Sequence, residues 1–329
     1  MKPSTTVFEL SKILKLSPST VSRALKGHPD IAPFTKQRVL SLAEKLEYEP
    51  NVYAVGLRTS NSKEFGVILP SLTGYFYDSL IATVEELARA EGFSLSIFIS
   101  SEDPQIELDN LKICRQRRFA GVFVSVTSQS TEFEPFRKFQ EQDIPLIFID
   151  KIPFDFKCNR VCFEDDKVAL MAADYIIKKN KRHVLSLFGD QRMSITAWRE
   201  RAYQKAFEDS ACNITIEHIM DTNSATQAVL DAFNSSTRPD AIFCMSDEIL
   251  IGVMKAVQIL KLDIPKDAGI ISISNGVFPT YYNPEVTYIK TSGHDLGKLA
   301  FDQMMNCING LNDFTAVSVQ PTLVELGSF

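Results

Sequence analysis

From residue 65 onward the chain alternates short apolar runs with amphipathic helical patterns, and this alternation restricts the fold more than any other feature. Strand-like runs fall at 65–70, 94–99, 121–126, 145–149, 184–188, 214–219, 241–245 and 269–273. Helical patterns lie between them, at about 76–91, 104–117, 131–141, 166–179, 197–209, 224–234, 248–260 and 294–309. Several runs, such as 145–149 and 241–245, have no polar face, which suits parallel strands covered by helices on both sides. The alternation predicts doubly wound sheets with right-handed crossovers. So many units exceed one open sheet, so two similar lobes are expected.

Residues 1–48 read differently. Val7, Leu10, Ile13 and Leu14 mark an amphipathic first helix, with Thr6 as its cap and Glu9 three residues on. After a tight turn, Ser17 caps a second helix with Pro18 at its first position, where no N–H is needed. Val21, Ala24 and Leu25 face inward. Thr35 is expected to cap a third helix with Val39, Leu42, Ala43 and Leu46 inside. Two helices, a short turn and a supporting third helix make a helix-turn-helix unit. The second helix is rich in hydroxyls and ends with Arg23 and Lys26. Small hydroxylated side chains reach phosphates, and an arginine fork matches guanine O6 and N7. Pro50 stops the third helix, and Asn51 can cap a short further one in a linker over 49–62.

The net charge of −6 over 329 residues looks wrong for a nucleic-acid binder, but its distribution does not. Residues 1–60 hold nine Lys/Arg and five Asp/Glu, so a basic head sits on an acidic remainder. No apolar run approaches the roughly 20 residues that span a membrane. The start, Met-Lys-Pro-Ser-Thr-Thr, has no apolar signal core, so a cytoplasmic location is expected. The six cysteines are scattered and read as free thiols. Four dispersed histidines show no metal spacing, and no phosphate-binding loop, dinucleotide fingerprint or nucleophile elbow is present. No cofactor, metal site or catalytic residue is therefore expected.

The segments Ser-Thr-Val-Ser-Arg-Ala-Leu (19–25), Glu-Tyr-Glu-Pro-Asn (47–51) and Phe-Gly-Val-Ile-Leu-Pro (65–70) resemble the LacI/GalR family of bacterial transcription regulators. The resemblance covers nearly the whole chain. It implies a homodimer on a pseudo-palindromic double-stranded operator, whose grip changes when a small molecule, usually a sugar or nucleobase, binds the larger domain. The implied fold is an all-α helix-turn-helix head over 1–48, a hinge over 49–62 and a periplasmic-binding-protein-like α/β core over 63–329. Within that core, one lobe takes about 63–160 and 292–318, and the other about 161–290 and 319–329.

By the family's pattern, Pro18, Ser19 and Arg23 read bases, and Ser17, Thr20 and Ser22 touch phosphates, with Thr35 near the backbone. Thr6, Lys26, Asn51, Ala54 and Leu57 complete the set expected at DNA. Leu57 stands where the family places a leucine that wedges between base steps, unstacking them and kinking the duplex. The hinge is too short to hold a helix alone, since isolated helices below roughly 12–15 residues are marginal. That makes it a bistable element for regulation.

For the cleft, the resemblance points to Tyr75 and Phe76, aromatic faces that can stack on a sugar or base ring. Of Tyr75, Phe76 and Tyr77, one is expected to serve helix packing. Arg199 resembles the family's ligand-gripping arginine, although Arg201 is near enough for a register error. Trp198 suits either cleft or core. Asp247 follows a buried strand, and Asn275 sits where many relatives carry an aspartate that grips sugar hydroxyls. An amide both donates and accepts, so a neutral polyol and a phosphorylated sugar both fit. Asp150 and Ser125 end two further strands. A carbohydrate is the favoured effector. The competing readings are a cytoplasmic sugar-binding or sugar-modifying enzyme with a helical appendage, and an exported solute-binding protein.

Overall fold

A computed structural model describes residues 6–48, 62–72, 75–130, 132–153, 156–311 and 313–329. The chain divides into two compact units, Met1–Ser62 and Lys63–Phe329.

In the first unit, α1 spans Val7–Leu14, α2 Pro18–Leu25 and α3 Pro33–Lys45. Thr6 and Glu9 form a reciprocal cap. The Glu9 N–H donates to Thr6 Oγ1 at 3.2 Å, and the Thr6 N–H donates to Glu9 Oε2 at 2.9 Å. Ser17 Oγ accepts from the Thr20 N–H at 3.1 Å, as its position before Pro18 predicts. Leu10, Val21, Ala24, Ile31, Val39 and Ala43 form the core of the unit. Two expectations fail. Ile13 is exposed, which narrows the apolar stripe of α1. Thr35 caps nothing: Pro33, with its ring-fixed φ, starts α3 two residues earlier. The N-cap is then Ala32, which makes no side-chain hydrogen bond, and Thr35 lies inside the first turn.

The second unit carries β1 (Glu64–Leu69), α4 (Tyr75–Ala90), β2 (Ser94–Ile99), α5 (Pro104–Gln116), β3 (Gly121–Val124), α6 (Glu134–Gln140), β4 (Leu146–Ile149) and β5 (Asn159–Phe163). The chain then enters a second set: α7 (Asp165–Lys178), β6 (His183–Phe188), α8 (Ser194–Phe207), β7 (Asn213–His218), α9 (Thr222–Asn234), β8 (Ala241–Cys244), α10 (Asp247–Leu260), β9 (Gly269–Ser274) and β10 (Thr287–Lys290). It returns through α11 (Gly293–Ile308), β11 (Ala316–Val319) and β12 (Thr322–Val324).

Two six-stranded sheets result, ordered β11-β5-β4-β3-β1-β2 and β12-β10-β9-β8-β6-β7. All pairings are parallel except β12 on β10. The chain passes between the sheets three times: after β5, after β10 and after β11. β5 belongs wholly to the first sheet, so the first passage comes after Phe163 and not at 160/161.

The central strands are apolar on both faces, as their runs predict: β3, β8 and β9 are buried throughout. Helices α4 and α11 cover the first sheet and meet closely through glycine. A Cβ on Gly293 would stand 2.2 Å from the Phe76 carbonyl oxygen, and one on Gly297 would stand 2.9 Å from the Leu80 carbonyl oxygen. Among the described residues, no helix is long and apolar enough to cross a membrane.

Candidate functional site

The head presents the start of α2 to solvent. Ser17, Pro18, Ser19, Arg23 and Lys26 are exposed, while Thr20 and Ser22 are half-buried. Ser17 Oγ lies 2.8 Å from both Ser19 Oγ and Thr20 Oγ1. Three linked hydroxyls at the positive dipole end of a helix form a surface suited to phosphate oxygens. Thr6 is exposed but engaged in its cap. Asn51, Ala54 and Leu57 lie outside the described residues.

In the second unit, a cavity of about 560 Å³ lies between the lobes at the carboxyl ends of both sheets, where doubly wound sheets bind ligands. Tyr75, Phe76 and Asp150 reach it from the first lobe, and Arg199, Asp247 and Asn275 from the second. The Tyr75 ring meets Phe278 of the second lobe edge-on, with centroids 5.0 Å apart. Phe76 leans on Phe163 at 6.1 Å.

Tyr77 lines the cavity as well and is packed into the core of the lobe, so the structure does not divide the three aromatics into cleft and packing residues. It is buried, and its hydroxyl donates to Asp150 Oδ2 at 2.8 Å and lies 3.1 Å from Ser125 Oγ. Burial first and Asp150 second raise the phenol well above its ordinary range, so it stays a donor that fixes Asp150. Ser125 is itself fully buried beneath the wall and does not line the cavity, contrary to expectation. Its side chain is spent inside the lobe, accepting the Lys151 N–H at 3.4 Å as well as facing Tyr77.

Arg199 is 5 % exposed, and its Nε donates to Asp165 Oδ1 at 2.8 Å. Burial pushes Asp165 up to about 6 even though Arg199 opposes the shift. That bond uses one of five guanidinium donors. Trp198, the next residue, lies elsewhere. It lines a separate depression with Arg160, Leu170 and Arg201, so the cleft reading of Trp198 fails.

Asp247 opens α10 behind its cap Ser246, whose Oγ accepts the Ile249 N–H at 3.3 Å. Asp247 Oδ2 accepts the Asn275 N–H at 3.3 Å, while Oδ1 is buried with no partner. Burial raises this carboxyl to about 6. Thr196 on the same wall is fully buried, and its Oγ1 also has no partner. Unmatched buried acceptors are costly unless something else supplies the hydrogen bond.

Asn275 is committed within the protein. Its Nδ2 donates to the Tyr75 carbonyl at 3.2 Å, and its Oδ1 accepts the Gly293 N–H at 2.9 Å. The amide thus ties the second lobe to the first turns of α4 and α11.

Contributors that the sequence missed include Thr196, Asp165, Asp221, Glu248, the Lys151–Glu102 pair at 3.5 Å and the Arg192–Asp190 pair at 2.5 Å. Only Thr196 carried a signal. It stands three residues before Arg199 on α8 and so shares its face.

A helix-turn-helix head followed by a two-lobed body is the make-up of a DNA-binding transcription regulator. Residues 15–51 match the model of bacterial regulatory proteins of the lacI family, and residues 173–329 match that of the periplasmic binding protein-like domain. In both of its parts the chain is similar to regulators of the LacI family. Similar proteins include catabolite control protein A of Priestia megaterium, 24% identical over 309 residues and covering 92% of each chain. The HTH-type transcriptional repressor PurR of Vibrio vulnificus is 22% identical over 324 residues, covering 97% of each. The fold is that of the Lac repressor dimer bound to operator and the anti-inducer ONPF, with a TM-score of 0.86, 18% identity and 99% of each chain covered. These relatives are regulators, not enzymes.

Proposed function

We propose that two copies of this chain hold a pseudo-palindromic operator, and that a sugar or sugar derivative in the cleft changes that hold. The protein acts as a repressor in the cytoplasm. Residues 1–48 are the reading head, 49–62 the hinge and 63–329 the sensing and pairing body. Pro18, Ser19 and Arg23 read bases. Ser17, Thr20, Ser22 and Lys26 meet phosphates, with Thr6 and Thr35 close to the backbone. Asn51, Ala54 and Leu57 enter the minor groove.

The observation that carries the effector site is the pair of unpartnered buried acceptors, Asp247 Oδ1 and Thr196 Oγ1, on the wall of a cavity with aromatic faces opposite. Hydroxyl groups of a carbohydrate are donors of the right kind.

The test begins by using the full-length protein to select its operator from fragmented genomic DNA. Retention on that fragment is then followed as sugars are added. A sugar that raises the unfolding temperature of the body and also shifts operator retention is the expected result. Stabilisation of the body with no change in DNA binding overturns the coupling.

Arg23→Ala is expected to weaken the operator complex by about 1–3 kcal/mol while leaving random DNA nearly unaffected, as a fluorescence-anisotropy titration on both duplexes would read. Equal loss on both makes Arg23 a phosphate contact. Binding to either duplex should weaken as salt rises, because phosphate contacts release condensed counterions.

A further inference from the structure

We infer that the ligand of this cleft carries a positive charge, as an amine-bearing sugar does, and that Asp247 holds the amine. The inference rests on reading the cleft as the effector site, and it concerns which effector fits.

The first support is the state of the cations on the wall. There are three, Lys151, Arg192 and Arg199, and each already has its own carboxylate. Lys151 Nζ lies 3.5 Å from Glu102. Arg192 grips both oxygens of Asp190, with N–O distances from 2.5 to 3.0 Å. Arg199 and Asp165 form a buried pair at 2.8 Å, with side chains 6 % and 4 % exposed. A phosphate or carboxylate arriving here finds no cation to spare. Arg199 keeps four further donors, but Asp165 already balances its charge, so an anion arriving here sets a second negative charge against one buried cation.

The second support is the surplus on the other side. Asp150, Asp221, Asp247 and Glu248 line the same cavity, and among the described residues none is in an ion pair. Two of these are occupied by neutral donors. Asp150 accepts from Tyr77, and Asp221 caps α9 through the Ser224 N–H at 2.7 Å.

Asp247 differs. It is 8 % exposed, its carboxylate takes the Asn275 N–H and is also held by the Ser274 hydroxyl, and Oδ1 is left buried with no partner. Thr196 on the same wall is 0 % exposed, and its unmatched hydroxyl can accept from the same donor. A protonated amine brings up to three donors and the charge that a desolvated carboxylate lacks, whereas a hydroxyl brings one neutral donor. Tyr75 and Phe76 add aromatic faces, which attract a cation-bearing ring.

The test is calorimetric titration of the full-length protein with glucosamine, galactosamine and mannosamine, with the parent hexoses, with their N-acetyl forms, with the hexose 6-phosphates, and with putrescine as an amine that is not a sugar. One amino sugar is expected to bind about tenfold more tightly than both its parent hexose and its N-acetyl form, the margin of a charge-assisted contact over a neutral one. The 6-phosphates should not bind. Asp247→Asn should abolish the gap between the amino sugar and its parent hexose, in a variant whose melting confirms that it folds. If that variant does not fold, Thr196→Ala narrows the gap instead, and the wild-type ranking stands by itself as the test. A parent hexose, N-acetyl sugar or 6-phosphate that binds as tightly as the amine overturns the inference and leaves the sugar effector standing. Binding of putrescine alone keeps the charge and overturns the sugar. Silence from every probe overturns both.

Discussion

Arg199→Ala destabilises the body by about 3–5 kcal/mol at neutral pH, because it leaves Asp165 buried without its counter-charge. The loss depends on pH in a defined direction. Asp165 is raised in the folded protein from its ordinary 3.8 to about 6, so the native state binds the proton more tightly than the unfolded chain. Such a group favours folding at low pH, and stability falls as pH rises through the folded value. In the wild type that decline ends near pH 6. Without the guanidinium the folded value climbs further, so the decline continues above pH 6. The gap between wild type and variant therefore widens from pH 5 to pH 8. Asp247, also raised to about 6, adds the same slope to both proteins and cancels in the difference. Urea unfolding at three pH values reads this. A gap that stays constant with pH assigns the cost to lost packing of the arginine stem instead.

Gly293→Ala has the second large effect, about 3 kcal/mol, at the upper end of the overpacking range. The added methyl lands 2.2 Å from the Phe76 carbonyl oxygen and 2.4 Å from Ser79 Oγ. The serine can swing aside, but the carbonyl belongs to a helix turn and cannot. Helices α4 and α11 must separate, and Phe76 moves with α4, so ligand affinity falls together with the unfolding temperature. Adding Ser79→Ala does not restore either quantity, since the obstacle is backbone. A Gly293→Ala protein that melts with the wild type would mean that the helices yield without strain.

The legible parts of the fold were those where burial leaves a one-dimensional trace. The helices of the head announced themselves by caps and apolar spacing, and the central strands by apolar runs. The strands β5, β10, β11 and β12 left no such trace. β5 begins Asn-Arg, β10 has four residues bounded by Thr287 and Lys290, and β11 and β12 are edge strands that need an apolar residue only at alternate places.

The cleft divides in the same way. Tyr75, Phe76, Asp150, Arg199, Asp247 and Asn275 all reach the cavity. Trp198 does not, because adjacent residues on a helix point about 100° apart and Arg199 already occupies the inward direction. Ser125 fails for a different reason. Its hydroxyl is drawn under the wall by Tyr77, a partner 48 residues away that no local pattern reveals. Asp165 and Arg199 are likewise 34 residues apart, so the neutralisation of that arginine could be read only in three dimensions.

The amide of Asn275, holding the Tyr75 carbonyl and the Gly293 N–H at once, sets a rule for anything that enters. A guest that takes this amide for itself must unfasten the two helices it secures, and so spends part of its own adhesion on prising the jaws apart. A guest that leaves the amide alone inherits jaws already shut. Two compounds of equal tightness can therefore drive the molecule to opposite postures, one acting as a wedge and the other as a bolt.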